Sequence, residues 1–144
     1  MSAGVWAWPV SGGSSAPERV AFAGVAPVRF DWDEPATWPA ALDGADAVYL
    51  VLPDIEDAPQ RIAALLADAP PDARVVLLSE LAAAALDPDS WAARGERAVT
   101  EQARQWTLLR PSWFMQVFTD ARFYRDAIRV DGRISLPAGA AAVS

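Results

Sequence analysis

The chain has 144 residues and a formal net charge of −7; it contains no His, Cys or Lys, so all twelve basic residues are Arg. Disulfides, thiolate and imidazole metal sites and lysine chemistry are excluded, and the scattered arginines form no basic stripe for nucleic acid. An apolar content of 53% over this length implies one globular domain, residues 1–144, around one hydrophobic core. No run has transmembrane length and no basic-then-apolar leader is present, so no membrane partner and a cytoplasmic location are expected. No EF-hand-like run is present and no metal site is expected. The bias towards Ala, Arg, Pro and Asp suggests a GC-rich bacterial genome.

Residues 5–10 read as a strand weakened by Pro9, and the Ser-Gly-Gly-Ser-Ser run at 11–15 as a loop. A short helix is expected at 17–22 and a strand at 27–30, followed by the acidic turn Asp31-Trp32-Asp33-Glu34 and helical turns over 37–42. Residues 47–52, Ala-Val-Tyr-Leu-Val-Leu, are a nearly continuous apolar run of strand length, which suits a strand covered on both faces. The next helix spans 58–67, with Asp57 as N-cap, Gln60 answering it, Pro59 in the first turn and Ile62, Leu65 and Leu66 as its apolar stripe.

A second buried strand is expected at 74–79, and 80–86 is either helical or an ordered loop. Asp89 or Ser90 caps a helix running to about Gln105, with Trp91, Ala98, Val99 and Ala103 along one side. A third buried strand covers 106–110 and a helix 114–125, with a turn at Asp131-Gly132 and a strand near 134–136. Alternating strands and helices are the pattern of parallel βαβ units. The expected fold is α/β, with strands 47–52, 74–79 and 106–110 side by side and helices on both faces.

Four segments carry a family resemblance. They are Arg-Phe-Asp-Trp-Asp at 29–33, Gly-Ala-Asp-Ala-Val-Tyr-Leu-Val-Leu-Pro at 44–53, Val-Val-Leu-Leu-Ser at 75–79 and Trp-Thr-Leu-Leu-Arg-Pro-Ser-Trp-Phe-Met-Gln at 106–116. In order and spacing they resemble NmrA-like proteins, atypical members of the short-chain dehydrogenase/reductase superfamily with an NAD(P)-binding Rossmann core. The likeness covers about residues 27–137. It implies an incomplete Rossmann-like, doubly wound, mainly parallel sheet, lacking the family's first βα unit with its glycine-rich phosphate loop and its C-terminal portion.

The resemblance implies that Asp31 and Trp32 meet an adenine ring, that Leu52 and Pro53 run beside the ribose, and that Ser79 stands where the superfamily often carries a catalytic serine. Pro111, with Ser112, then flanks the nicotinamide end, and Trp113, Phe114 and Met115 line a substrate pocket. Each has a plainer reading: a solvated turn for Asp31, a core edge for Trp32, strand terminators for Leu52 and Pro53, a strand-end cap for Ser79, core for Phe114. Arg110 is either a carboxylate or phosphate fork or the partner of an acidic neighbour, and Glu96 reads as a surface partner for arginines. The carboxylate clumps at 31–34 and 54–57 read as solvated faces and caps.

Three functions follow. The first is an NmrA-like NAD(P)-binding oxidoreductase or redox sensor; without the phosphate loop or a Tyr–Lys pair, redox activity is not expected of this chain alone. The second is a non-catalytic remnant acting through a partner or as a homo-oligomer, with 47–52 as the exposed sheet edge. The third is a non-redox cyclase or isomerase built on a Trp-rich pocket, seven Trp being present.

Overall fold

The computed structural model describes residues 5–8, 11–19, 24–84, 87–112 and 114–134. The chain divides into two compact units, Met1–Pro111 and Ser112–Ser144. The first holds a six-stranded sheet of order β3-β2-β1-β4-β5-β6. Its strands are β1 (Val5–Trp8), β2 (Ser11–Ser14), β3 (Ala26–Arg29), β4 (Ala47–Val51), β5 (Arg74–Leu78) and β6 (Gln105–Leu109). Its helices are α1 (Trp38–Leu42), α2 (Ala58–Ala67) and α3 (Trp91–Gln102). The fold is α/β, with parallel strands flanked by helices, as in part of a Rossmann-like sheet.

β4, β5 and β6 are parallel neighbours, and β2 and β3 form a second parallel pair. β1 joins the two blocks and runs antiparallel to β2 and to β4. The two blocks therefore point the same way. β4 is not an edge: β1 covers it through pairs from Val5–Leu50 to Trp8–Ala47. The expectation of an exposed edge at 47–52 is corrected accordingly; among the described residues the outermost strands are β3 and β6.

Burial follows the register. Val48 pairs with Val75 and Val75 with Trp106, and the next row is Leu50, Leu77 and Leu108. Val48, Val75, Leu50 and Leu77 are buried, whereas Trp106 is 47% exposed. β6 is thus exposed and not a third buried strand: among the described residues no strand flanks it on its far side. Phe30, Trp32 and Trp38 form an aromatic cluster after β3, with Phe30 edge-on to Trp32 at 5.0 Å.

α2 has the expected bounds and buries Ile62, Leu65 and Leu66. Asp57 makes no cap bond; its carboxylate accepts instead from Arg61 Nε at 2.7 Å. Ser90 does cap α3, accepting from Ala93 N at 3.3 Å. α3 turns Ala92, Gly95, Glu96, Ala98 and Val99 inward, so Glu96 is buried rather than a surface residue. The segment 11–15 is mostly strand, despite its glycines, because β3 and β1 supply ladder partners on both sides.

In the second unit the described residues form the 3-10 turn Met115–Phe118, then further turns, then α4 (Arg125–Asp131). A continuous helix over 114–125 does not form. Tyr124 N donates back to the Val117 carbonyl at 3.1 Å, folding the segment on itself. Gly132 terminates α4 in the left-handed region, at φ 63°. The proposed strand near 134–136 falls largely outside the described residues.

Candidate functional site

In a parallel α/β sheet, ligands bind beyond the carboxyl ends of the strands. Here β2 through β6 share one direction, so Asp31 and Trp32, Leu52 and Pro53, Ser79, and Arg110 and Pro111 all follow strands at the same end of the sheet.

At β3, Asp31 is half-buried and bends the chain into a turn. Its carboxylate accepts from Asp33 N at 3.0 Å, and its carbonyl accepts from Trp38 Nε1 at 2.8 Å. Trp32 is in the core, and its buried Nε1 has no hydrogen-bond partner. Arg61, from the first turns of α2, donates to the Trp32 carbonyl and to the carboxylates of Asp33 and Asp57, tying this loop to the helix.

At β4, Leu52 and Pro53 are buried under α3. The Pro53 carbonyl accepts from Trp91 Nε1 at 3.1 Å. A Cβ on Gly95 would lie 2.4 Å from Leu52 Cδ1, so any larger residue there makes the Leu52 side chain shift to keep this approach of helix to strand end. In this arrangement both residues anchor the first turns of α3.

At β5 and β6, Ser79 N donates to the Leu109 carbonyl at 2.8 Å and Leu81 N to the Pro111 carbonyl at 3.0 Å, extending the ladder past the strands. Arg110 grips Glu96 as a fork, Nε to Oε1 at 2.8 Å and Nη2 to Oε2 at 2.6 Å. Of the two roles open to Arg110, the acidic neighbour is the one realised. Arg110 holds the Glu96 carboxyl below its usual range, outweighing the burial that pushes it up; the nearby Ser79 hydroxyl lowers it further. Ser79 does not reach good hydrogen-bond geometry with any group, and its Oγ is sealed from solvent. It caps nothing through that oxygen.

Phe114 and Met115 belong to the second unit and are exposed. Trp113 lies outside the described residues. Among the described residues no cluster of three or more metal-ligating side chains occurs, and no helix is long and apolar enough to cross a membrane.

Trp91 and Arg61 have structural roles that the sequence reading missed; Glu96 is the arginine partner it was expected to be, but buried and not on the surface. Arg61 had a legible signal, an acid four residues earlier on a helix. Glu96 had a weaker one, its place on the 92, 95–96, 99 stripe.

No family model matches the sequence. The chain is 35% identical over 129 residues to an NAD(P)H azoreductase from Xenophilus azovorans, a match that spans 84% of this chain and 43% of the relative. The chain thus aligns with less than half the length of that relative.

Proposed function

We propose that this chain is the nucleotide-holding part of an NmrA-like, NAD(P)H-dependent oxidoreductase. The observation that carries the reading is the 35% identity with an NAD(P)H azoreductase across most of the chain. It agrees with the order and direction of β4, β5 and β6, a parallel run of the kind beyond whose carboxyl ends Rossmann-like folds take dinucleotides.

A buried polar atom without a partner, Trp32 Nε1, follows β3, and the buried Ser79 Oγ, close to Glu96 but without a well-formed hydrogen bond, follows β5. Those are the strands where the adenine and nicotinamide ends belong on this reading, so the residues present fit the group. On this reading Asp31 accepts from the base, Leu52 and Pro53 shape the ribose side, and Pro111 and Ser79 stand at the nicotinamide end. When bound, NAD(P)H supplies a hydride. This chain's own part is to bind and orient, for without Lys it has no Tyr–Lys pair to move a proton.

Titration calorimetry with NADPH and NADH tests the reading. Saturable heat is expected with at least one of them, weakened in Asp31→Ala and Ser79→Ala. No heat with either cofactor at about millimolar concentration, an affinity of ~4 kcal/mol or less, overturns it.

A further inference from the structure

α2 and α3 leave a groove of about 260 Å³ between them. Gln60 and Ala63 of α2 line one side, and Arg94, Arg97, Glu101 and Gln102 of α3 the other. Positions 94, 97 and 101 lie three and four residues apart, so they share one side of the helix. The volume is below the ~300–1,000 Å³ of drug-sized sites and suits a small molecule rather than a dinucleotide.

Arg94 sets this groove apart. Arg29, Arg61, Arg104 and Arg110 of the first unit each reach an acid at 3.4 Å or less. Among the described residues neither Arg94 nor Arg97 is in an ion pair, and Arg97 gives one Nη to the Pro88 carbonyl at 2.7 Å. Arg94 is half-buried, and its Nε is sealed from solvent with no acceptor. A donor that leaves water without gaining a partner costs free energy. The chain itself shows what satisfies such a group, since Glu96 takes Arg110 side-on across Nε and Nη2. Both Glu96 oxygens are thereby used and do not serve Arg94. Glu101 lies seven residues further on, about 10 Å along the axis, and pairs with neither arginine among the described residues.

We infer that this groove binds a short aliphatic carboxylate with a hydrogen-bond donor at its far end, an ω-amino or ω-hydroxy acid. Arg94 takes the carboxylate side-on and so gains the acceptor that its Nε lacks, and Arg97 adds a second positive charge. Pro59, Ala63 and Ala98 give the groove a small apolar lining for the methylene chain. Glu101 accepts from the terminal ammonium or hydroxyl. The same carboxylate repels a doubly charged phosphate, which has no donor to offer it.

This inference does not depend on the cofactor reading, and Arg94→Gln should leave any NADPH heat as in the unaltered chain. Its test is nitrogen–proton NMR on the full chain, with the Arg94 Nε–H resonance assigned by its loss in Arg94→Gln. γ-Aminobutyrate or γ-hydroxybutyrate is expected to shift that resonance saturably, with a dissociation constant of about a millimolar, and the tighter of the two identifies the donor. Butyrate, which lacks the donor, should bind several-fold more weakly, and Glu101→Ala should bring all three acids to one affinity. Arg94→Gln should melt no lower than the unaltered chain, because it removes a buried orphan donor and breaks no bond among the described residues. No saturable shift with any of the acids up to about 100 mM overturns the proposal. So does butyrate binding as well as the donor-bearing acids, or inorganic phosphate binding more tightly than they do. A fall of several degrees in the melting temperature of Arg94→Gln also overturns it, since the guanidinium then has a structural partner. Loss of NADPH heat in that variant overturns it as well, by putting the cofactor in the groove.

Discussion

Glu96 is the most consequential single residue in the first unit. A buried carboxylate is costly unless paired and hydrogen-bonded, and the Arg110 fork meets both conditions. Glu96→Gln keeps the shape, removes the charge and strands the guanidinium. Breaking a fully buried pair costs about 3–5 kcal/mol, and with Arg110 38% exposed the expected loss is about 2 kcal/mol, read from urea melts. Arg110→Lys keeps the charge without the fork and should lose less. The sign with pH follows from the lowered Glu96 carboxyl. The folded chain binds that proton less readily than the unfolded one. The stabilisation is complete above the ordinary carboxylate range and is lost as pH falls through the folded value. The stability gap between wild type and Glu96→Gln should therefore hold at neutral pH and narrow on acidification; a gap that does not change with pH would mean that the pair acts by packing alone. Each half was legible, Glu96 as an arginine's partner and Arg110 as an acid's, but neither their joining nor the burial was, because an ionised Glu is rarely buried and the Arg that makes burial tolerable arrives fourteen residues later, from the next strand. Ser79, Leu52 and Pro53 were legible as strand ends because each closes an apolar run. Their surroundings were not, since those depend on where α3 lands.

The helices separate what a local signal specifies from what packing decides. α2 could be bounded from sequence because Pro59 and the Pro70-Pro71 pair bracket it and Ile62, Leu65 and Leu66 mark its inner face. Its cap was misjudged: Asp57 has the right chemistry, but Arg61 takes the carboxylate. Ser90→Ala should accordingly cost about 1 kcal/mol by losing a cap, whereas Asp57→Ala loses only an exposed ion pair and should cost under about 0.5 kcal/mol; thermal melts distinguish them. Equal losses would contradict the observed cap geometry. Gly95→Ala adds helix propensity but drives a methyl into Leu52. The clash should win by about 1 kcal/mol, and Leu52→Ala in the same chain should relieve it, making the pair strongly non-additive. The helix expected over 114–125 fails for a related reason. Phe114, Val117, Phe118, Ala121 and Tyr124 fit helical spacing, yet a 3-10 turn followed by a back-bond from Tyr124 to Val117 uses the same residues.

Across the first unit, β1 is the element on which the sheet turns. It pairs on both sides, Val5 with Leu50 and with Gly13, and it alone connects the β2–β3 block to the β4–β5–β6 block within the sheet. Periodicity could not reveal this. The apolar runs at 47–52 and 74–79 announce strands, but nothing in Val-Trp-Ala-Trp states that it inserts antiparallel at the centre, and Ser-Gly-Gly-Ser reads as a loop until two neighbours give it ladder bonds. A proline in β1 should therefore be far more damaging than one at the outward-facing positions of β3. Ala7→Pro removes an amide from a strand bonded on both sides and should lower the melting temperature by several degrees, each degree being a small fraction of a kcal/mol for a domain of this size. Arg29→Pro removes an amide that turns away from the sheet; it forfeits the exposed Glu34 pair and should shift the midpoint by much less. Calorimetry on the two variants decides between a central and a dispensable β1. If Ala7→Pro melts like wild type, the two blocks do not need β1 to stay together, and the edge of β4 is open after all.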